Sequence, residues 1–375
     1  MITTFIMGGG ATNAETRNGD DSIGQKQDNH CRETVGSLLC TAMNTVTYDS
    51  NDQDVLNELG FDALPTLIRA HEAIVRLDER VSRSPVGRAW SERVFFRQAC
   101  DAQYAQGHLV TVEELVLLGG GARDQPGYPD LMDTLDMLRL WRQALDQDAS
   151  DLLRAMRPGI SNSNLPDPYP TLRRAVRLRG VLKEPPLDPT SVIDPARLEK
   201  WRRVLRSSER LPPVLAAAVV WDCWIRLVPE AASAWRGTLL AALLLKSRGT
   251  TTNLLLPIDC GWRVSPYRVK ASDPRGARLL GFVSWLEAAA SEGRKELTKL
   301  TLADIQLRRH LRGRRSHSRL PALARLFLSV PLVTIPLAAR HIGCSTQAVE
   351  KMLPMLGSLP REVTERSRFR AWTVP

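Results

Sequence analysis

Apolar residues recur at helical spacing along most of the chain, and two-residue alternation stays weak until its last few residues. A helix is predicted from Pro65, an early position that tolerates a residue without an N–H. Leu67, Ile68, Ile74 and Val75 form its apolar stripe, and His71 packs on the same face. Further helices are predicted over residues 89–106 and from Thr111, where Val112, Leu115 and Val116 point inward until the glycines at 119–121 stop the helix. Another covers 130–145 through Leu131, Leu135, Leu138 and Leu145. Prolines at 158, 166, 168, 170, 185, 186, 189 and 195 then predict a linker, with at most a short helix near 172–178. The periodicity resumes over 196–205, 213–227, 234–246, 275–290 and 294–311. The expected fold class is mainly α, a multi-helical core followed by a C-terminal winged helix-turn-helix with a small β-hairpin.

That last element carries the most specific pattern. Residues 332–356 read as two short helices joined by a tight turn, and residues 359–374 as a basic hairpin beside them. Ala339 permits close approach of the helices, and Gly343 suits a turn that needs positive φ. Ser345 is placed to cap the second helix. Ala348, Val349, Met352, Leu353 and Leu356 then face inward, which leaves Thr346, Gln347, Glu350 and Lys351 on the surface that such motifs present to the major groove. Pro354 removes the bond to the Glu350 carbonyl, so it kinks or ends that helix.

Charge points to the same end of the chain. There are 51 Lys/Arg and 41 Asp/Glu, a net +10. Residues 292–375 hold 16 basic and 6 acidic side chains and so account for the entire excess. Arg308, Arg309, Arg312, Arg314, Arg315 and Arg319 precede the motif, and Arg361, Arg366, Arg368 and Arg370 follow it. A localised cationic end on an otherwise balanced chain is the electrostatic footprint of a polyanion partner, here duplex DNA. The expected interface is Ser345, Thr346, Gln347, Glu350 and Lys351 with Arg361, Arg366, Arg368 and Arg370. Arg312, Arg314, Arg315 and Arg319 give weaker contacts to the DNA backbone.

Other classes are excluded or unsupported. No apolar run approaches the roughly 20 residues of a membrane span, and the N-terminus lacks the basic and apolar regions of a secretory signal. The six cysteines show no metal-ligand spacing and are expected as reduced, cytoplasmic thiols. His71-Glu72 opens like a zinc motif, but Val75 stands where the second histidine belongs. Gly119-Gly-Gly121 lacks the lysine of a phosphate loop. Trp221, Trp224 and Trp235 lie among apolar positions and are expected in the core. Neither a metal nor a cofactor is expected.

The centre of the chain resembles Fic-domain proteins that carry a C-terminal winged helix. Residues 211–220 are similar to that family's core helix, and Val228-Pro-Glu-Ala-Ala-Ser-Ala-Trp-Arg236 falls where its HPFxDGNGR loop lies. Pro229 and Arg236 match. Val228 replaces the catalytic histidine, Ala232 the metal-binding acid, and Ser233, Ala234 and Trp235 the Gly-Asn-Gly stretch. Valine cannot take a proton and alanine cannot hold Mg²⁺. The resemblance therefore implies a degenerate scaffold without catalysis. Upstream, Ala102-Gln-Tyr-Ala-Gln-Gly107 and Thr111-Val-Glu-Glu-Leu115 resemble the family's inhibitory segment, with Ala102 and Gln106 in place of its serine and glutamate. Arg319–Phe327, Pro331–Ile335, Arg361–Thr364 and Arg368–Trp372 resemble the lead-in and closing hairpin of its winged helix. The order of parts over about 64–375 also resembles rhizobial proteins that join a domain of unknown function to a helix-turn-helix.

The organisation expected is an arm over 1–52, too polar to pack; a helical region over 53–157; a linker over 158–195; a degenerate Fic-like domain over 196–315; and a winged helix-turn-helix over 316–375. The expected function is that of a cytoplasmic, non-enzymatic transcriptional regulator. In it the winged helix binds duplex DNA and the helical scaffold serves a homodimer or senses a protein partner, with no membrane association. The alternatives are a divergent nucleotidyl (AMP) transferase and a protein-interaction module.

Overall fold

The computed structural model describes residues 55, 58–119, 128–155, 195–227, 234–312, 319–363 and 370–374, all within one unit spanning Ser50–Pro375. The predicted arm over 1–52 and nearly all of the proline-rich stretch lie outside the described residues. In chain order the helices are α1 (Leu64–Arg83), α2 (Gly87–Ala105), α3 (Val112–Gly119), α4 (Pro129–Asp146), α5 (Ala149–Ala155), α6 (Pro195–Ser207), α7 (Pro213–Leu227), α8 (Ala234–Ser247), α9 (Ile258–Val264) and α10 (Arg275–Leu311). They are followed by α11 (Leu320–Ser329), β1 (Val333–Thr334), α12 (Ile335–Ile342), α13 (Thr346–Met352), a 3₁₀ turn (Leu353–Leu356), β2 (Arg361–Glu362) and β3 (Ala371–Thr373). The mainly helical class, with one small sheet, is as expected.

The 37-residue α10 organises the molecule. At 1.5 Å per residue it is about 55 Å long, enough to run from the helical body to the C-terminal motif. Leu279, Phe282, Val283, Leu286, Ala289, Ala290, Leu297, Leu300, Ala303 and Leu307 form a continuous buried stripe along it. The sequence pattern divides this helix in two near Gly293, but the structure does not. Leu77 of α1 and Trp90 of α2 pack so closely that a Cβ on Gly293 would sit 3.0 Å from both. The glycine admits neighbours and leaves the helix unbroken.

Helices α1, α7 and α9 pack against α10, α2 packs against α4, α9 and α11, and α7 pairs with α6 and α8. Trp221 stacks on Phe282 at 4.4 Å, and Trp201 meets Trp224 edge-on at 5.7 Å, so Trp221 and Trp224 are core residues as expected and Trp201 joins them. On α1, Leu67 and Ile74 are buried with Ala70, Leu77 and Val81, but Ile68 and Val75 are exposed. His71 is exposed as well. The expectation of a packed histidine was wrong because two apolar pairs two turns apart leave the buried face ambiguous by one residue.

Three buried carboxylates are matched by partners. Asp222 and Arg278 form a two-pronged pair at 2.7 and 2.9 Å deep between α7 and α10. Asp78 accepts bonds from the N–H groups and side chains of Thr252 and Asn253 and anchors that loop to α1. Asp259 accepts from Gln98 and, at 2.6 Å, from the Thr238 hydroxyl, while burial pushes its carboxyl up to about 7.

Candidate nucleic-acid interface

Local chemistry fixes the C-terminal motif. Thr334 caps α12 by accepting from Leu337 N–H at 3.3 Å, and Pro336 occupies its first turn. Gly343 ends α12 at φ 66°, ψ 47°, the left-handed geometry that costs other residues about 1 kcal/mol or more. Ser345 then caps α13, its Oγ accepting from Ala348 N–H at 3.2 Å. Val349 and Leu356 are buried between the helices. Helical geometry stops at Met352, and Leu353–Leu356 tighten into a 3₁₀ turn around Pro354.

The strands complete the motif. β3 lies between β1 and β2, antiparallel to both, with Val333 opposite Trp372 and Arg361 opposite Thr373. The hairpin β2–β3 is therefore a wing attached to the entrance of α12. Thr373 Oγ1 donates to Pro331 O at 2.7 Å and locks the wing's return strand to the lead-in of the first helix.

Thr346, Gln347, Glu350 and Lys351 are exposed together on α13, and Ser345 is exposed at its start. Arg361 is exposed on β2 and Arg370 just before β3. Arg370 also pairs with Glu362 through both carboxylate oxygens and lies 5.0 Å over the Trp372 ring, which holds its guanidinium along the wing. Arg312 is exposed beyond the end of α10. Arg319 is exposed too, but it donates to the carbonyls of Ile342 and Gly343 and so braces the turn between α12 and α13. Arg314, Arg315, Arg366 and Arg368 lie outside the described residues. Sequence reasoning passed over Arg325 on α11 and Arg340 at the end of α12, both exposed in the same motif. Their only signal is a charge at an outward helical position.

This motif is built onto the helical body. Arg93 of α2 donates from Nη1 to Phe327 O at 3.0 Å and Val330 O at 3.2 Å, and from Nη2 to Val374 O at 2.5 Å. At the far end of α10, the His310 ring fills the space beside Gly357.

Comparison with known proteins agrees with this geometry. Residues 320–374 match the family described as "HTH DNA binding domain". Residues 192–312 match the family described as "Protein of unknown function (DUF1612)". The "Uncharacterized protein y4cF" of Sinorhizobium fredii is 32% identical over 361 residues, which cover 80% of this chain and 93% of that protein. The chain belongs to this family. Its C-terminal part is thus a helix-turn-helix DNA-binding domain, and its central helices are those of a domain of unknown function.

The resemblance of that central domain to Fic proteins gains nothing from these matches. Of the loop that carried it, residues 228–233 lie outside the described residues. Trp235 and Arg236 are buried in the first turn of α8, with the guanidinium 5.4 Å from the indole. Among the described residues no cluster of metal-ligating side chains occurs, and no helix is long and apolar enough to cross a membrane.

Proposed function

We propose that this protein is a transcriptional regulator that binds duplex DNA through α13 and the wing. The carrying observation is the exposed row Thr346, Gln347, Glu350 and Lys351 behind the capped N-terminus at Ser345, with Arg361 and Arg370 beside it. Gln347, Thr346 and Lys351 have the donors and acceptors that read base edges in the major groove. Arg361, Arg366, Arg368 and Arg370 supply phosphate contacts, with Arg312, Arg314 and Arg315 as weaker ones.

The helical body acts as scaffold and not as catalyst. Val228 and Ala232 offer neither a proton acceptor nor a metal ligand where the Fic-like loop requires them. Phe61, Leu64, Ile68 and Val75 are exposed along one side of α1 and its lead-in, which supports a homodimer or partner contact there.

The test is selection of bound sequences from random duplex DNA with the full chain, followed by affinity measurement over a salt series. A preferred site and a steep fall of affinity with salt are expected. Equal affinity for all sequences, insensitive to salt, would overturn the reading.

A further inference from the structure

A cavity of about 240 Å³ lies where the helical body meets the DNA-binding motif. Trp90, Arg93 and Val94 of α2, Lys299 and Leu300 of α10, and Pro331, two residues before β1, line it. An engineered apolar cavity of about 150 Å³ accepts benzene, so this one has room for a ring or short chain and a polar head.

Its polar wall is unbalanced. Arg97 and Glu296 also line it but are paired with each other, and Arg97 further with Glu292 and Asp101, which leaves Arg93 and Lys299 as the cations in excess. Arg93 differs: it donates to the main-chain carbonyls of Phe327, Val330 and Val374, and no carboxylate lies within ion-pair distance of it among the described residues. Burial pulls its pKa down to about 10, and the nearby Glu296 carboxylate offsets only part of that. Lys299, exposed at the same wall, likewise has no ion pair among the described residues. Trp90 is buried with its indole N–H lacking an acceptor.

We infer that this cavity binds a small apolar carboxylate. Its hydrocarbon part would lie against Trp90, Val94 and Leu300, and its carboxylate would sit beside Lys299 and Arg93. Because Arg93 also holds the ends of α11 and β3, an occupant would act on the joint that positions α13. This regulatory consequence rests on the DNA-binding reading above. The binding site itself does not.

The test is calorimetric titration of the full chain with benzoate, phenylacetate, hydrocinnamate and octanoate, with hydrocinnamide as the uncharged control. At least one carboxylate should bind, and hydrocinnamide should bind about tenfold more weakly or worse, as loss of a charged hydrogen-bond partner predicts. Lys299→Gln, at an exposed position, should weaken binding by a similar factor. Val112→Trp, at the half-buried rim, should block it with the melting temperature unchanged. Failure of all four carboxylates at millimolar concentration, equal binding of the amide, or binding unaffected by both variants would each overturn the proposal. DNA affinity measured on the same preparations separates the two readings. Carboxylate binding without DNA affinity supports the cavity site and sinks the DNA reading, and DNA affinity without carboxylate binding does the reverse.

Discussion

Arg93 on α2 donates to the Val374 carbonyl at the end of β3, 281 positions away in the chain. The same guanidinium holds Phe327 O and Val330 O. One side chain thus ties the first helix and the last strand of the DNA-binding motif to the helical body. Arg93→Ala leaves three carbonyls without this donor, at about 1–3 kcal/mol for each that water cannot reach. A lower melting temperature and faster amide exchange in Leu320–Ser329 and Ala371–Thr373 are expected. Exchange unchanged in both segments would show that the joint is held by other contacts.

The buried pair Asp222–Arg278 makes a prediction of opposite character for single and double changes. Asp222→Asn leaves the Arg278 charge buried without its counter-ion, a loss of about 3–5 kcal/mol. Replacing both with apolar residues of similar volume, Asp222→Leu with Arg278→Met, should recover most of that loss. Urea unfolding of the single and double variants measures the difference. A double variant no more stable than the single would contradict it.

Asp259 gives a pH dependence. Its carboxyl titrates near 7 when folded and near its ordinary 3.8 when unfolded. Between those values the native state holds a proton that the unfolded state has released, so this group's stability is full below about pH 4 and is lost as pH rises to 7. The slope is on the order of 1.4 kcal/mol per pH unit. Asp259→Asn keeps an acceptor for Gln98 and Thr238 and removes the titration. Denaturation midpoints of the variant should therefore fall less than those of the natural protein between pH 4 and pH 7, beyond both of which the two should run parallel.

The helix-turn-helix was legible because its signals are local. Ser345 as a cap, Gly343 at the turn and Pro354 at the stop each act within four residues, and together they place the end of α12 and all of α13 to within a residue or two, while the Thr334 cap of α12 went unread. Exposure of Thr346, Gln347, Glu350 and Lys351 followed from the same periodicity. Non-local geometry was not legible. Gly293 reads as a helix break in isolation, and only the proximity of Leu77 and Trp90 makes it a packing position. Arg319 reads as one more member of a basic run, yet its partners are two carbonyls more than twenty residues on. The seven-residue α9 is too short for a periodic signal, and no feature near Arg93 announces carbonyls at the other end of the chain.

Gly357 is constrained twice. Its φ of 77° disfavours any residue with a Cβ, and the His310 ring occupies the place where that Cβ would go. Gly357→Ala should cost about 1–3 kcal/mol. His310→Ala clears the space but leaves the backbone strain, so the double variant should recover only part of the loss. Thermal melts of the two single variants and the double variant resolve the two contributions.

The exposed residues of the motif divide by what they touch on DNA. Lys351→Ala or Gln347→Ala removes a side chain that faces base edges, and should cost about 1–3 kcal/mol at the preferred site with little change on unrelated DNA. Arg361→Ala removes a charge on the wing. It should weaken all sequences alike and reduce the slope of log affinity against log salt by about one. Arg370→Ala should act less strongly than Arg361→Ala, because Glu362 already offsets much of its charge. Ser345→Ala acts indirectly: loss of the cap bond to Ala348 N–H costs about 0.5–2 kcal/mol of helix stability, so both specific and unspecific binding fall with the folded fraction of α13. Filter binding of these variants to preferred and scrambled duplexes over a salt series separates the three patterns. If Lys351→Ala and Gln347→Ala weaken the two duplexes equally, α13 does not read bases, and the recognition surface has to be sought on the wing.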